Sequence, residues 1–359
     1  MRKKLLSMLM CMCLTAALLA GCGSKEDTTA SKSADTETAE ETTEASNGGY
    51  ALVTKAAGNP YNEKMAEGFS DVIKELTGTD AIIKHPQAAT ADAQIEVINS
   101  LISQGVSSIC IAANDENALQ AVLEDAMNAG IKVSCLDSKT NSDSRMTFVN
   151  QAGTKEIGTT LMEAILDITG GEGQFAILSA TSQATNQNAW IDAMKEAMET
   201  DDKYSKLELV EVAYGDDEPQ KSTDQTQALL SNYPDLKVIC APTTVGIAAA
   251  AKVLQDQKSK VKLTGLGLPS EMAEYIGDDD AHSCPYMYLW NPIDVGRLGA
   301  YVSSALVNGE ITGAAGESFT AGDMGDYEVV DAGDGGTEVI LGAPFKFDPS
   351  NIEEWKTVY

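Results

Sequence analysis

Histidine is almost missing from this 359-residue chain: there are two, His85 and His282, far apart in sequence. Acid–base chemistry would have to rest on carboxylates, and although a glycosidase-like pair stays open, no acidic pair stands out. The G-x-S-x-G elbow, H-E-x-x-H and G-x-x-x-x-G-K-[ST] are all absent. Gly265-Leu266-Gly267 follows a strand-like run, but Ser270 stands where a dinucleotide fingerprint needs its third glycine. An enzyme is not expected, nor a cofactor. Basic residues are scarce too, 25 Lys and Arg against 54 Asp and Glu, a net charge of -29. Nucleic-acid phosphates need Lys and Arg, so that class of partner is excluded. Cysteine shows no metal-site spacing: Cys110, Cys135, Cys240 and Cys284 each sit in an apolar run and read as small core residues. A Cys110–Cys135 disulfide stays open at this stage.

What is present begins at the N-terminus. Arg2, Lys3 and Lys4 precede an apolar run, Leu5–Leu19, too short to span a bilayer comfortably. It ends in Leu19-Ala20-Gly21-Cys22, small residues just before a cysteine, the layout of a secretory signal peptide over residues 1–21. The motif resembles the lipobox of bacterial lipoproteins. That resemblance implies cleavage before Cys22, a diacylglycerol on its thiol, and an extracytoplasmic chain held at the outer face of the cell membrane. From Gly23 to Gly49 there is no large apolar side chain, so residues 22–49 read as a lipidated cysteine and an acidic tether that cannot bury enough surface to fold. At ~5–6 Å × √n the tether reaches on the order of 30 Å.

Roughly 310 residues remain, enough for two domains at ~150 residues each. Strand-like runs at Tyr50–Thr54, Asp80–Lys84, Val106–Ala112, Lys132–Leu136, Gln174–Leu178, Leu207–Tyr214, Lys237–Ala241 and Lys262–Leu266 alternate with amphipathic segments. Met65, Phe69, Val72, Ile73 and Leu76 recur at helical spacing, as do Ile157, Leu161, Ala164, Ile165 and Ile168. Strands apolar throughout and separated by helices predict an α/β fold: parallel sheets covered on both faces, doubly wound and repeated in two lobes. Ligands of such sheets sit outside the carboxyl ends of the strands. The loops there offer Lys55, Asn59, Asn114, Asp115, Asp137, Ser138, Asn186, Gln187, Thr243 and Thr244: amides, hydroxyls, a lysine and a few carboxylates. That inventory suits a neutral polyhydroxylated molecule better than a phosphate or a peptide.

At these loops the chain resembles the type I periplasmic-binding-protein family of ABC importers, nearest to rhamnose-binding and autoinducer-2-binding members. The resembling stretches are Val53-Thr54-Lys55, Leu136-Asp137-Ser138, Ala184 to Trp190, Ala241 to Gly246, Gly265 to Met272 and Leu289-Trp290-Asn291-Pro292. The resemblance implies two lobes joined by three crossings that close over the ligand, placed near Asn150-Gln151, Trp290-Asn291 and Ala321–Asp326. It assigns 50–150 plus 292–325 to the first lobe and 151–291 plus 326–359 to the second. Carried over by motif, Lys55, Asp137, Gln187 and Pro242 match ligand-binding positions of the autoinducer-2 receptors. Asn186 stands where those receptors have Asp, and Thr244 where they have Ala, so the pattern is closer to the rhamnose type. Asn186 and Gln187 could equally cap the helix beginning there, and Thr244 could be an N-cap. Trp190 reads as core, while Trp290 could pack the hinge or lie against a sugar. The expected partners are a small neutral sugar or polyol, importer permease subunits, and the membrane through Cys22; a monomer is expected. Two alternatives share this chemistry, an autoinducer-2 receptor and a sensing lipoprotein that feeds a membrane kinase.

Overall fold

The computed structural model describes residues 48–359. The expected signal peptide, Cys22 and all of the tether but its last two residues lie outside the described residues. The chain first builds β1 (Tyr50–Val53), α1 (Pro60–Thr77), β2 (Ile82–Lys84), α2 (Ala91–Gln104), β3 (Ser108–Ile111), α3 (Gln120–Asn128), β4 (Lys132–Leu136) and β5 (Thr147–Asn150). It then crosses to α4 (Thr154–Thr169), β6 (Gly173–Ser179), α5 (Thr185–Thr200), β7 (Leu207–Tyr214), α6 (Pro219–Asn232), β8 (Leu236–Ala241), α7 (Thr244–Asp256), β9 (Lys262–Gly265), α8 (Pro269–Met272) and β10 (Met287–Leu289). It returns through α9 (Pro292–Asn308), the hairpin β11 (Ser318–Thr320) and β12 (Asp326–Glu328), β13 (Val330–Asp331) and β14 (Thr337–Ile340). The last elements are β15 (Phe345–Phe347) and α10 (Ile352–Trp355).

The first lobe is a sheet of order β13-β14-β5-β4-β3-β1-β2, parallel except for the β13–β14 pair. Side chains alternate between its faces, as the pleat requires. Ala51, Val53, Ile109, Ile111, Val133 and Phe148 pack on one side with Ile98, Leu101 and Leu123 of α2 and α3. Leu52, Cys110, Leu136 and Val149 pack on the other with Met65, Phe69 and Leu298 of α1 and α9. The second lobe is a parallel sheet of order β7-β6-β8-β9, extended by a parallel bridge from Leu266 to Tyr288 and by β15 antiparallel to β10. Its middle strand β6 buries Phe175, Ala176, Ile177 and Leu178 in succession, the signature of a strand covered on both faces. Both lobes are doubly wound α/β, as the sequence predicts.

All eight sequence-predicted strands form, with ends that coincide or shift by one or two residues in either direction. The four body cysteines are buried and free: Cys110 stands opposite Ser134 and Cys135 opposite Ile111, so the two lie on opposite faces of the sheet without a disulfide. Burial pushes the thiols of Cys110 and Cys240 up to about 12, which keeps them protonated packing groups.

Two crossings fall where the sequence places them, between β5 and α4 and between β10 and α9. The third does not, and the lobe boundary at 325/326 is corrected with it. Residues 326–359 are divided: β13 and β14 join the first sheet, β14 pairing parallel with β5 through Glu338–Phe148, Val339–Val149 and Ile340–Asn150. Only β15 and α10 belong to the second lobe, so the third crossing is 341–344 rather than Ala321–Asp326. The physical reason is the open edge of β5, which a returning strand satisfies with ladder hydrogen bonds. Phe345, Phe347, Trp355 and Tyr359 then clamp the C-terminus in edge-on ring contacts.

Two helices start with the same chemistry. Asn59 caps α1 by accepting from the Tyr61 N–H at 2.9 Å, and Asn291 caps α9 by accepting from the Ile293 N–H at 3.0 Å, each before a proline at the first helical position. The helices pack so closely that a Cβ at Gly296 would lie 1.9 Å from the Met65 carbonyl oxygen. Gly296→Val should therefore destabilise the fold by about 1–3 kcal/mol or more. Urea unfolding checks this, and a loss below about 0.5 kcal/mol would show that the helices do not need this approach.

Candidate functional site

The carboxyl ends of both sheets face one another, and the loops that leave them close on a small cavity of about 40 Å³. Lys55, Asp137, Asn186, Gln187, Pro242, Thr244 and Trp290, the seven side chains singled out in the sequence, all line it. So do Asn59, Tyr61, Asn62, Trp190, Asp217, Thr243, Leu266 and Leu289. His85 and His282 lie elsewhere, His85 bonded to Thr54 and His282 to Asp279.

Asp137 follows β4 in a left-handed conformation, φ 61°, which Asp tolerates better than most residues. Its carboxylate is 5% exposed and held from several sides. The Tyr61 hydroxyl donates to Oδ1 at 3.0 Å, and the Trp290 indole N–H donates to that hydroxyl at 2.6 Å. Lys55 Nζ stands 3.6 Å from Oδ2, and Asn186 Nδ2 donates to Oδ2 at 3.3 Å. Burial still outweighs these partners and raises the Asp137 pKa above its ordinary 3.8, while Lys55 is the largest influence in the other direction. Burial and the neighbouring Asp137 charge likewise hold Tyr61 protonated, well above its ordinary range.

The second lobe meets this cluster through the first turn of α5. Lys55 Nζ donates to Asn186 Oδ1 at 2.6 Å, and the same oxygen accepts from the Gln187 N–H at 3.1 Å. Asn186 is not the N-cap, a position Ala184 holds without a side-chain bond, but from the first turn of α5 it takes up one N–H and reaches across the cleft at once. Gln187 Oε1 is buried with no protein partner, an unspent acceptor against the cavity. Thr243, not Thr244, occupies the N-cap position of α7, and Thr244 Oγ1 donates to Asn59 Oδ1 at 3.4 Å. Trp290 lies on the second crossing and against the cavity, with Trp190 edge-on to it at 5.7 Å between ring centroids. Trp190, read from sequence as core, is 3% exposed and also forms a cavity wall.

Three lining residues had a legible signal. Asn59 and Tyr61 sit in the loop after β1 that the strand-end rule selects, and Thr243 adjoins Thr244. Asp217 had none: it lies in Gly215-Asp216-Asp217-Glu218, which reads as a solvated acidic turn.

Two doubly wound lobes, three crossings and a polar cavity with indole walls between them define a solute-binding architecture. The model of the periplasmic binding protein domain matches residues 50–311, and the chain belongs to that family. A solved ABC transporter solute-binding protein from Clostridium phytofermentas, with bound L-rhamnose, is 62% identical over 88% of this chain and 100% of its own, with a TM-score of 0.85. The chain is thus a solute-binding protein of the sugar ABC transporter class, a family of transport proteins rather than enzymes. The LsrB protein from Clostridium saccharobutylicum, in complex with AI-2, shares the fold at 21% identity and a TM-score of 0.76, covering 85% of this chain and 99% of its own. A D-ribose/D-allose-binding protein from Pseudomonas aeruginosa is 26% identical over 53% of this chain, a match spanning 61% of that protein's length.

A carboxyl with a raised folded-state pKa costs stability above that pKa and recovers it as pH falls toward 3.8, where the unfolded chain also takes up a proton. The stability of wild type minus that of Asp137→Asn should therefore rise on acidification from neutrality toward pH 4. Denaturant titrations at several pH values measure it; a difference that shrinks on acidification would contradict the raised pKa.

Proposed function

We propose that this protein captures a neutral monosaccharide, with L-rhamnose first among the candidates, and hands it to the permease of an ABC importer. The observation that carries the reading is the convergence of Lys55, Asp137, Asn186 and Gln187, from loops of both lobes, on one cavity walled by Trp190 and Trp290. Carboxylate, amide and ammonium groups grip vicinal hydroxyls as donors and acceptors, and indoles cover the apolar face of a pyranose. A charged acid would meet Asp137 and Asp217, and an amino acid would leave its ammonium or carboxylate poorly matched. The L-rhamnose held by the 62% identical relative supports the ranking.

Calorimetric titration tests it. Binding in the micromolar range corresponds to about -8 kcal/mol, within reach of five or six satisfied polar contacts and ring burial. Asp137→Ala should weaken L-rhamnose by about 1–3 kcal/mol for each hydroxyl left without an acceptor. Tight binding of AI-2 with no response to any pentose or hexose would overturn the ranking, and undiminished binding by Asp137→Ala would move the site elsewhere.

The reading includes an anchor. Cys22 heads a run without large apolar side chains and ends a small-residue cleavage motif, so the mature protein is held by acyl chains on that cysteine. Cys22→Ala should appear in the soluble fraction or as uncleaved precursor on fractionation. A correctly processed mutant that stays with the membrane would rule the anchor out.

A further inference from the structure

Asp217 joins the cavity from a turn between β7 and α6 in which two successive non-glycine residues are left-handed, Asp216 at φ 54° and Asp217 at φ 53°. That conformation is costly and recurs at functional sites. Lys221 pairs with the Asp216 carboxylate, whereas Asp217 accepts from the Thr243 hydroxyl across the floor of the second lobe. The hydroxyl proton of Thr243 is thereby spent on Asp217, and that of Thr244 on Asn59. This edge of the cavity carries acceptors, the free oxygen of Asp217 and the lone pairs of Thr243 and Thr244, with the Asn59 amide beside Thr244. Lys55 and Asn186 bring N–H donors to the same cavity. Strand order sets a third region, because Leu266 follows β9 and Leu289 lies in β10, on the far side of the sheet from β7. At about 4.8 Å per strand, the acidic turn and these leucines are separated by more than the width of a sugar ring.

We propose that Asp217, oriented by Thr243, is a specificity-determining residue of the sugar site. It accepts a hydrogen bond from a ring hydroxyl and directs the methyl group of a 6-deoxyhexose to the Leu266–Leu289 end. A methyl or bare methylene against Asp217 would leave the second, desolvated carboxylate oxygen without a donor, which costs more than a methyl placed against leucine. The inference rests on the sugar-binding reading and deepens it.

Asp217→Asn tests it with little change of shape, since Asn also tolerates left-handed backbone, yet it puts an N–H where a lone pair stood. Titrations of wild type, Asp217→Asn and Thr243→Val would use L-rhamnose, each of its monodeoxy derivatives, and L-mannose, its 6-hydroxy counterpart. Asp217→Asn should bind L-rhamnose about tenfold to a hundredfold more weakly. One monodeoxy sugar, the one lacking the hydroxyl that faces Asp217, should bind wild type and variant alike. Thr243→Val should lose part of the same discrimination, which keeps the test available if Asp217→Asn unfolds. Equal weakening of every ligand would indicate a merely structural role and overturn the proposal. Unchanged L-rhamnose binding by Asp217→Asn beside tight binding by wild type would overturn it while leaving the sugar reading intact. Wild type that binds no monosaccharide would overturn both.

Discussion

The contact on which the site depends is the one between Lys55, Asp137 and Asn186. A buried carboxylate is expensive unless charge and hydrogen bonds compensate it, and here the compensation comes from both lobes. Lys55 supplies the opposite charge from the loop after β1, and Asn186 supplies an amide from the first turn of α5. Tyr61 fixes the remaining oxygen and is itself fixed by Trp290 on the second crossing. The position of the central acceptor is therefore set by a chain of bonds that begins in the hinge. The Trp290 ring walls the cavity while its N–H anchors that chain.

These groups converge because of topology. Parallel strands all end on the same side, so each lobe delivers its strand-end loops to one edge, and the three crossings turn those edges toward each other. Helix N-termini arrive with them: α1 through Asn59 and Tyr61, α5 through Asn186 and Gln187, α7 through Thr243 and Thr244. These side chains sit where helix starts leave N–H groups unspent, so the residues at helix starts are also the ones that line the cavity. The Asn59 side chain shows the economy, capping α1 and accepting from Thr244 of the other lobe.

Much of this was legible in the sequence because it follows from periodicity and strand ends. Runs such as Ser-Ile-Cys-Ile and the Gly-Gln-Phe-Ala-Ile-Leu-Ser of β6 are apolar on both faces, and their helices carry one apolar stripe. What escaped were elements whose existence depends on a partner. β5 and β14 are four residues each and stable only as neighbours in a ladder, so nothing local marks them, and the third crossing was misplaced with β14. The resemblance to known receptors located Lys55, Asp137, Asn186, Gln187, Pro242, Thr244 and Trp290, which the fold brings to one cavity. Asp217 and Trp190 were hidden for opposite reasons, one looking like solvated surface and the other like core. A pocket wall has traits of both, being buried against the protein and bare toward a ligand.

The polar character of the lobe-to-lobe contacts bears on how closure is decided. Lys55 to Asn186 and Thr244 to Asn59 are polar bonds that water could replace in an opened cleft, and such bonds are worth only about 0.5–1.5 kcal/mol net, somewhat more when charged. A large apolar interface would hold the lobes together regardless of occupancy, and would leave a ligand little to decide. A ligand shifts such an equilibrium only by its differential affinity for the closed form. Here that difference lies in acceptors whose partners are scarce within the protein: Gln187 Oε1, which has none, and the Asp217 carboxylate, which has Thr243 alone. On the sugar-binding reading proposed above, water would satisfy them in an open cleft and a well-shaped polyol in a closed one. Selectivity would then follow from these same acceptors, because a ligand that fails to pair them would close the lobes over a desolvated acceptor.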